Sequence, residues 1–141
     1  MEIKIKKLNE HAKIPLYAHK TDAGADLFSL EDVDIMPRTR ALIPTGIAME
    51  IPEGYVGLIW DKSGIAVKSG VTTLAGVVDS GYRGEVKVAL FNTSDESYKI
   101  EKGHKIAQIL FQKVESPEFT EVDELAEADR GESGFGSTGI K

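Results

Sequence analysis

A period of two dominates this chain and restricts what it can fold into. Residues 2–8 place Ile3 and Ile5 on one side and lysines on the other, the pattern of a half-buried strand. Residues 85–91 and 105–111 open with the same alternation and then turn wholly apolar, as strands do on entering a core. Shorter strand candidates lie at residues 26–30, 41–45, 47–51, 55–60 and 71–74. Turn signals separate them: Pro37, Pro44-Thr45-Gly46, Pro52-Glu53-Gly54, Ser80-Gly81, Thr93-Ser94-Asp95 and Lys102-Gly103. Many short strands with Gly and Pro turns predict an all-β sandwich, barrel or jelly roll. Helix is scarce. One candidate spans residues 64–68, with Ser63 as its N-cap. A second, acidic candidate at residues 122–128 would be marginal alone.

The 141 residues suit one domain, and an apolar content of 41% is enough to bury a core. The net charge of −6 argues against a nucleic-acid partner, because attraction to a phosphate polymer needs a basic face. Without cysteine, disulfides, thiolate metal sites and cysteine nucleophiles are excluded. The first residues lack the apolar core of a signal peptide. No stretch approaches the roughly 18 apolar residues of a membrane span. A cytoplasmic enzyme or binding protein is expected.

Five segments can carry chemistry. In Ala23-Gly24-Ala25-Asp26-Leu27-Phe28, Asp26 either caps a turn or holds a metal-bound water. Asp61-Lys62-Ser63-Gly64-Ile65 is either an ordinary capped turn or a phosphate seat at a helix start. Residues 76–85 read as a hairpin whose tip carries Asp79 and Tyr82. A carboxylate there can take a proton from an attacking water; Tyr82 packs on a strand or faces a sugar. Gln108 interrupts an apolar strand, and a buried amide must be hydrogen-bonded or costs about 1–3 kcal/mol. It is a structural bridge or a ligand contact, whereas Lys105 reads as a solvated strand residue. Last comes the arm, residues 130–139, with four glycines and one aromatic, Phe135. It is either a bare tail or a phosphate cradle of backbone N–H groups, with Arg130 as a bidentate partner.

In order and spacing, these segments resemble the five motifs of the dUTPase family, from residue 23 to residue 139. Gly-Val-Val-Asp-Ser-Gly-Tyr-Arg-Gly and Arg-Gly-x-x-Gly-Phe-Gly-Ser-Thr-Gly are the most specific parts. The resemblance implies an all-β, jelly-roll-like fold of short antiparallel strands with a flexible glycine-rich C-terminal arm. It implies a homotrimer, with residues 1–120 as the body and residues 121–141 as a linker and arm that closes a neighbouring subunit's site. The implied activity is hydrolysis of dUTP to dUMP and pyrophosphate, by water attack at the α-phosphorus with Mg²⁺. Asp79 then looks like the base, Tyr82 the platform under the deoxyribose, and the backbone near Val78 the partner of the uracil edge. Phe135 would stack on the base. Lys62, Ser63, Gly64, Lys87, Gln108, Arg130, Gly136, Ser137 and Thr138 fall among the substrate contacts. Asp26 would support the Mg²⁺ site through water.

The chain departs from the family where Asp61-Lys62 replaces the usual Pro-Arg and where Lys105 replaces an Arg. Lysine lacks the bidentate fork of arginine. An acidic Asp61 beside phosphate is expected to point away, or to pair with Lys62 or an arginine. Two rivals remain. A dCTP deaminase would carry a glutamate three residues before Asn92, where this chain has Ala89. A non-catalytic nucleotide-sensing protein on the same fold would not need Asp79, Tyr82 and Phe135 together.

Overall fold

The computed structural model describes residues 1–133. Its strands are β1 (Lys4–Lys7), β2 (Ala25–Phe28), β3 (Val33–Ile35), β4 (Arg40–Pro44), β5 (Ile47–Glu50) and β6 (Tyr55–Trp60), followed after the single helix α1 (Ser63–Ser69) by β7 (Val71–Leu74), β8 (Val77–Val78), β9 (Lys87–Asn92), β10 (Tyr98–Ile100) and β11 (Lys105–Lys113). Every pairing is antiparallel. A four-stranded sheet runs β2-β11-β6-β8, a three-stranded sheet β4-β9-β7, and two ribbons pair β1 with β5 and β3 with β10. The all-β, jelly-roll-like architecture agrees with the expectation.

Alternation sets which side chains enter the core. In β9, Val88, Leu90 and Asn92 point inward while Lys87 stays out. In β11 the alternation breaks at a bulge between Lys105 and Ala107. That irregularity buries Ile106 and Ala107 together before Ile109 resumes the inward face. These residues join Leu27, Ile43, Ile59 and Val71 in one apolar cluster. Burying each large aliphatic side chain is worth about 1.5–3 kcal/mol. Asn92 is the polar member, with no exposed surface. Its amide donates to the carbonyls of Ile35 and Glu96, and its oxygen accepts from the Ser94 backbone and hydroxyl. A buried amide so satisfied ties β9 to β3 at little cost.

Three local expectations need correction. Ser63 is not the cap of α1: Lys62 holds that position, makes no side-chain cap bond, and offers its carbonyl to the amides of Ile65 and Ala66. Residues 122–128 form no helix, since an acidic segment without a buried apolar face cannot offset the cost of nucleation. The segment at 76–85 is not a simple hairpin: β8 pairs with β6, whereas β9 pairs with β4 and β7. The tip therefore crosses between two sheets.

Candidate functional site

Strand β11 lies between β2 and β6, and its register places Gln108 opposite both Asp26 and Trp60. Gln108 and Trp60 of this row line an open groove of about 530 Å³, together with Asp22, Ala23, Gly24, Asp61 and Ser63 among others. Asp26 is only 2% exposed because all of β2 is buried. Its Oδ1 accepts from the Lys62 ammonium at 2.5 Å. Lys105 approaches Oδ2 at 2.6 Å, a charge contact without regular hydrogen-bond geometry. Burial by itself would raise the Asp26 carboxyl; the Lys105 and Lys62 ammonium groups outweigh it and hold the acid below its ordinary 3.8. The cluster of one carboxylate and two ammoniums keeps a positive excess beside Ser63. Lys105 is thus not a free strand lysine but a partner of Asp26.

Asp61 meets its expectation by the first alternative, turning away rather than pairing with a cation. It takes neither Lys62 nor an arginine, because Lys62 is drawn to the more buried Asp26. The Asp61 carboxylate turns to β7 instead. Its Oδ2 accepts from the Thr72 hydroxyl at 2.8 Å, and its Oδ1 from the Thr73 amide at 2.6 Å and hydroxyl at 2.7 Å. Burial pushes this acid up, and the Thr73 and Thr72 donors more than reverse the push. The Gln108 amide donates to the Asp61 carbonyl at 2.9 Å, which answers its need for a partner.

A second cavity, about 340 Å³, opens at the crossing segment and is lined by Leu42, Leu74, Val78, Asp79, Tyr82 and Lys87 among others. Its floor is fixed by the turn at Ala75-Gly76, where both residues have positive φ, 59° and 109°. The Gly76 carbonyl accepts from the Ile59 amide at 2.8 Å. A Cβ on Gly76 would come within 2.6 Å of the Ile59 carbonyl oxygen, so only glycine fits there. At the rim, the Asp79 carbonyl accepts from the Tyr82 amide, and the Tyr82 hydroxyl donates to the Glu85 carbonyl at 3.0 Å. Tyr82 is held by its tip with much of the ring exposed. Lys87 sits 3.6 Å from the Glu85 carboxylate.

The two cavities share no lining residue. A third cavity, lined by Ile59, Trp60, Asp61, Ala75 and Gly76 among others, lies between them and shares residues with both. Lys62, Ser63, Gly64, Gln108 and Asp26 are gathered in the groove or at its edge, while Asp79, Val78, Tyr82 and Lys87 are gathered in the pocket. Arg130 joins neither; it bonds the Ser133 carbonyl within its own turn. Phe135, Gly136, Ser137 and Thr138 lie outside the described residues.

Residues 10–139 match the model of the dUTPase family. This chain belongs to that family. It is 51% identical over 141 residues to a deoxyuridine 5'-triphosphate nucleotidohydrolase of Nautilia profundicola, with 99% of each chain covered. It is similar to a solved dUTPase of Staphylococcus bacteriophage 80alpha, a point mutant with dUpNHpp, at 35% identity and a TM-score of 0.93 over 99% of both chains. It is also similar to a mutant dUTPase from phage phi11 of S. aureus, at 32% identity and a TM-score of 0.82, over 88% of this chain and 98% of that one. That structure describes the coordination of a structural Mg(II) ion. The groove and the pocket thus carry four of the five segments in which this dUTPase sequence resembles its family.

The thermodynamic role of Asp26 has a definite sign. A carboxyl held below its unfolded value stabilises the fold above that value and loses its effect as pH falls through the lowered one. Asp26→Asn should cost roughly 1–3 kcal/mol at pH 7, a modest figure because solvent reaches both lysines. Urea unfolding at a fixed protein concentration should show the gap from the parent narrowing as pH falls below 3.8. A gap that stays constant into acid contradicts a depressed Asp26.

Proposed function

We propose that this chain hydrolyses dUTP to dUMP and pyrophosphate by attack of water at the α-phosphorus, with Asp79 as the base. The observation that carries this reading is the separation of chemistry between the two cavities. The pocket has the apolar walls and exposed backbone that suit a pyrimidine, with Asp79 and Tyr82 at its rim. The groove has Ser63 and Gln108, with the Lys62 and Lys105 ammoniums gathered on Asp26 beside it, which suit phosphate oxygens. Charge on the leaving pyrophosphate is neutralised at the groove, while Asp79 takes the proton of the attacking water.

One chain carries the two halves in cavities that share no lining residue, and this reading requires the pocket of one copy and the groove of another for a single triphosphate. That requirement favours the homotrimer, in which each interface joins unlike faces and the ring closes. Apolar exposure supports the same reading: Trp60, Leu42 and Val77 are more than half exposed on one chain, and Phe119 and Leu125 lie at 95% and 88%. We assign residues 1–120 to the trimer body. Residues 121–141 form the strap that closes a neighbour's site, with Phe135 stacking on uracil and Arg130, Gly136, Ser137 and Thr138 reaching phosphate. No helix among the described residues is long and apolar enough to cross a membrane, and a cytoplasmic location fits the substrate.

The donor set bears on Mg²⁺. Among the described residues, no three His, Asp or Glu side chains gather to hold a metal, so an all-protein cage does not fit. An ion carried on the phosphates does. Lys62 donates to Oδ1 of Asp26, while the buried Oδ2 accepts no hydrogen bond from the described residues and keeps its lone pairs for a metal-bound water. Asp26 is the residue that would hold the ion in this indirect way. When bound, the ion neutralises charge on the phosphate oxygens.

Three results follow from this reading. Purified enzyme with Mg²⁺ should release pyrophosphate from dUTP and little from dTTP, dCTP or UTP, and EDTA should abolish the release; equal release from all four contradicts the pocket, and none from dUTP contradicts the activity. Asp79→Asn should lower kcat at least about 100-fold, and near-normal turnover would remove Asp79 from the role of base. A Cβ on Gly84 would fall within 2.4 Å of the Tyr82 hydroxyl and 2.6 Å of the ring, so Gly84→Ala should swing Tyr82 away and narrow the preference for dUTP over UTP; an unchanged ratio of kcat/KM contradicts the platform.

A further inference from the structure

Asp61 is an ionised carboxylate with no cation partner among the described residues, and its hydrogen bonds all come from β7. Three donors from two consecutive threonines converge on it, at 2.6 to 2.8 Å. Its main-chain carbonyl is fixed by Gln108 of β11. Residue 61 is therefore held from both sides, by side chain and by backbone, one position before Lys62 and two before Ser63. On the other side, β7 leads without interruption into Leu74, Ala75 and Gly76, which line the pocket. A merely solvated aspartate would leave the Thr73 amide to water; here that amide, its hydroxyl and the neighbouring hydroxyl all point at one acid.

We infer that Asp61 is a positioning residue, a clamp that holds residues 61–63 of the phosphate groove in fixed relation to the strand that builds the pyrimidine pocket of the same chain. In a ring of copies, each chain gives its groove to one site and its pocket to another. The clamp then links neighbouring sites through two hydrogen-bonded threonines. Asparagine keeps the acceptor that the Thr73 amide needs, and the Thr72 hydroxyl can turn to accept from the new amide group. Alanine keeps nothing. This assignment rests on the proposed reaction for its kinetic consequence, but not for its structural one.

The test compares Asp61→Ala, Asp61→Asn and the double substitution Thr72→Val/Thr73→Val, each assayed at 25 °C, well below its measured melting temperature. Asp61→Ala should lower kcat/KM for dUTP tenfold or more, the threonine double variant should match it, and Asp61→Asn should stay within about threefold of the parent. Adding Asp61→Ala to the threonine variant should cost no further activity, as for groups acting as one unit. Amide exchange at Thr73 should be slow in the parent and in Asp61→Asn, and fast in Asp61→Ala. Unchanged kcat/KM in Asp61→Ala overturns the inference, as does an Asp61→Asn enzyme as impaired as Asp61→Ala. If the parent itself releases no pyrophosphate, the proposed reaction fails, and the clamp is judged by Thr73 exchange alone: protection that survives in Asp61→Ala overturns it.

Discussion

The pairing of β11 with β2 on one edge and β6 on the other sets the position of nearly everything that matters here. Gln108 stands opposite Asp26 and Trp60 in one row across three strands. A slip of one residue would exchange the two faces of β11, sending Gln108 into the core and Ile109 into the groove. Ile109 is wholly buried, so the apolar core itself enforces the register that aligns the polar row. At the bulge after Lys105, that lysine reaches Asp26 with its side chain still partly in solvent. Core packing and site geometry are the same constraint seen from two sides.

From that row the polar network spreads outward. Asp26 gathers two lysines, Gln108 steadies residue 61, and Asp61 reaches across to β7. Each buried acid is satisfied differently. Asp26 is met by charge, and Asp61 by three neutral donors. Both acids are held ionised against their burial. The network runs from groove to pocket within one chain. In the proposed trimer, that stiffness would let one chain present its two cavities to two different sites.

Much of this was legible in the residues themselves, for physical reasons. Tyr55–Trp60 and Val71–Leu74 are long and apolar enough to declare themselves as strands, and the structure keeps those bounds. Val33–Ile35 and Tyr98–Ile100 are three residues each, too short for a period of two to register. The crossing segment read as a hairpin because alternation reveals which side chains go inward but not which strand pairs with which. Asp26 left a turn role and a metal-water role open because its two charge partners, Lys62 and Lys105, are 36 and 79 positions away and carry no local sign of their task. Asp61 stood out as a departure from the family, yet its partners Thr72 and Thr73 are ordinary strand threonines and gave no signal.

The account turns on a site built from the pocket of one copy and the groove of another. The most direct test mixes two inactive proteins, Asp79→Asn, defective in the pocket, and Lys62→Met/Ser63→Ala, defective in the groove, under conditions where native mass spectrometry verifies that subunits exchange. In a closed ring of three, every mixed trimer regains one intact site, so an equal mixture should recover about one quarter of the parent activity. Mixed trimers with no more activity than either variant alone would contradict a shared site and return both halves of the chemistry to a single chain.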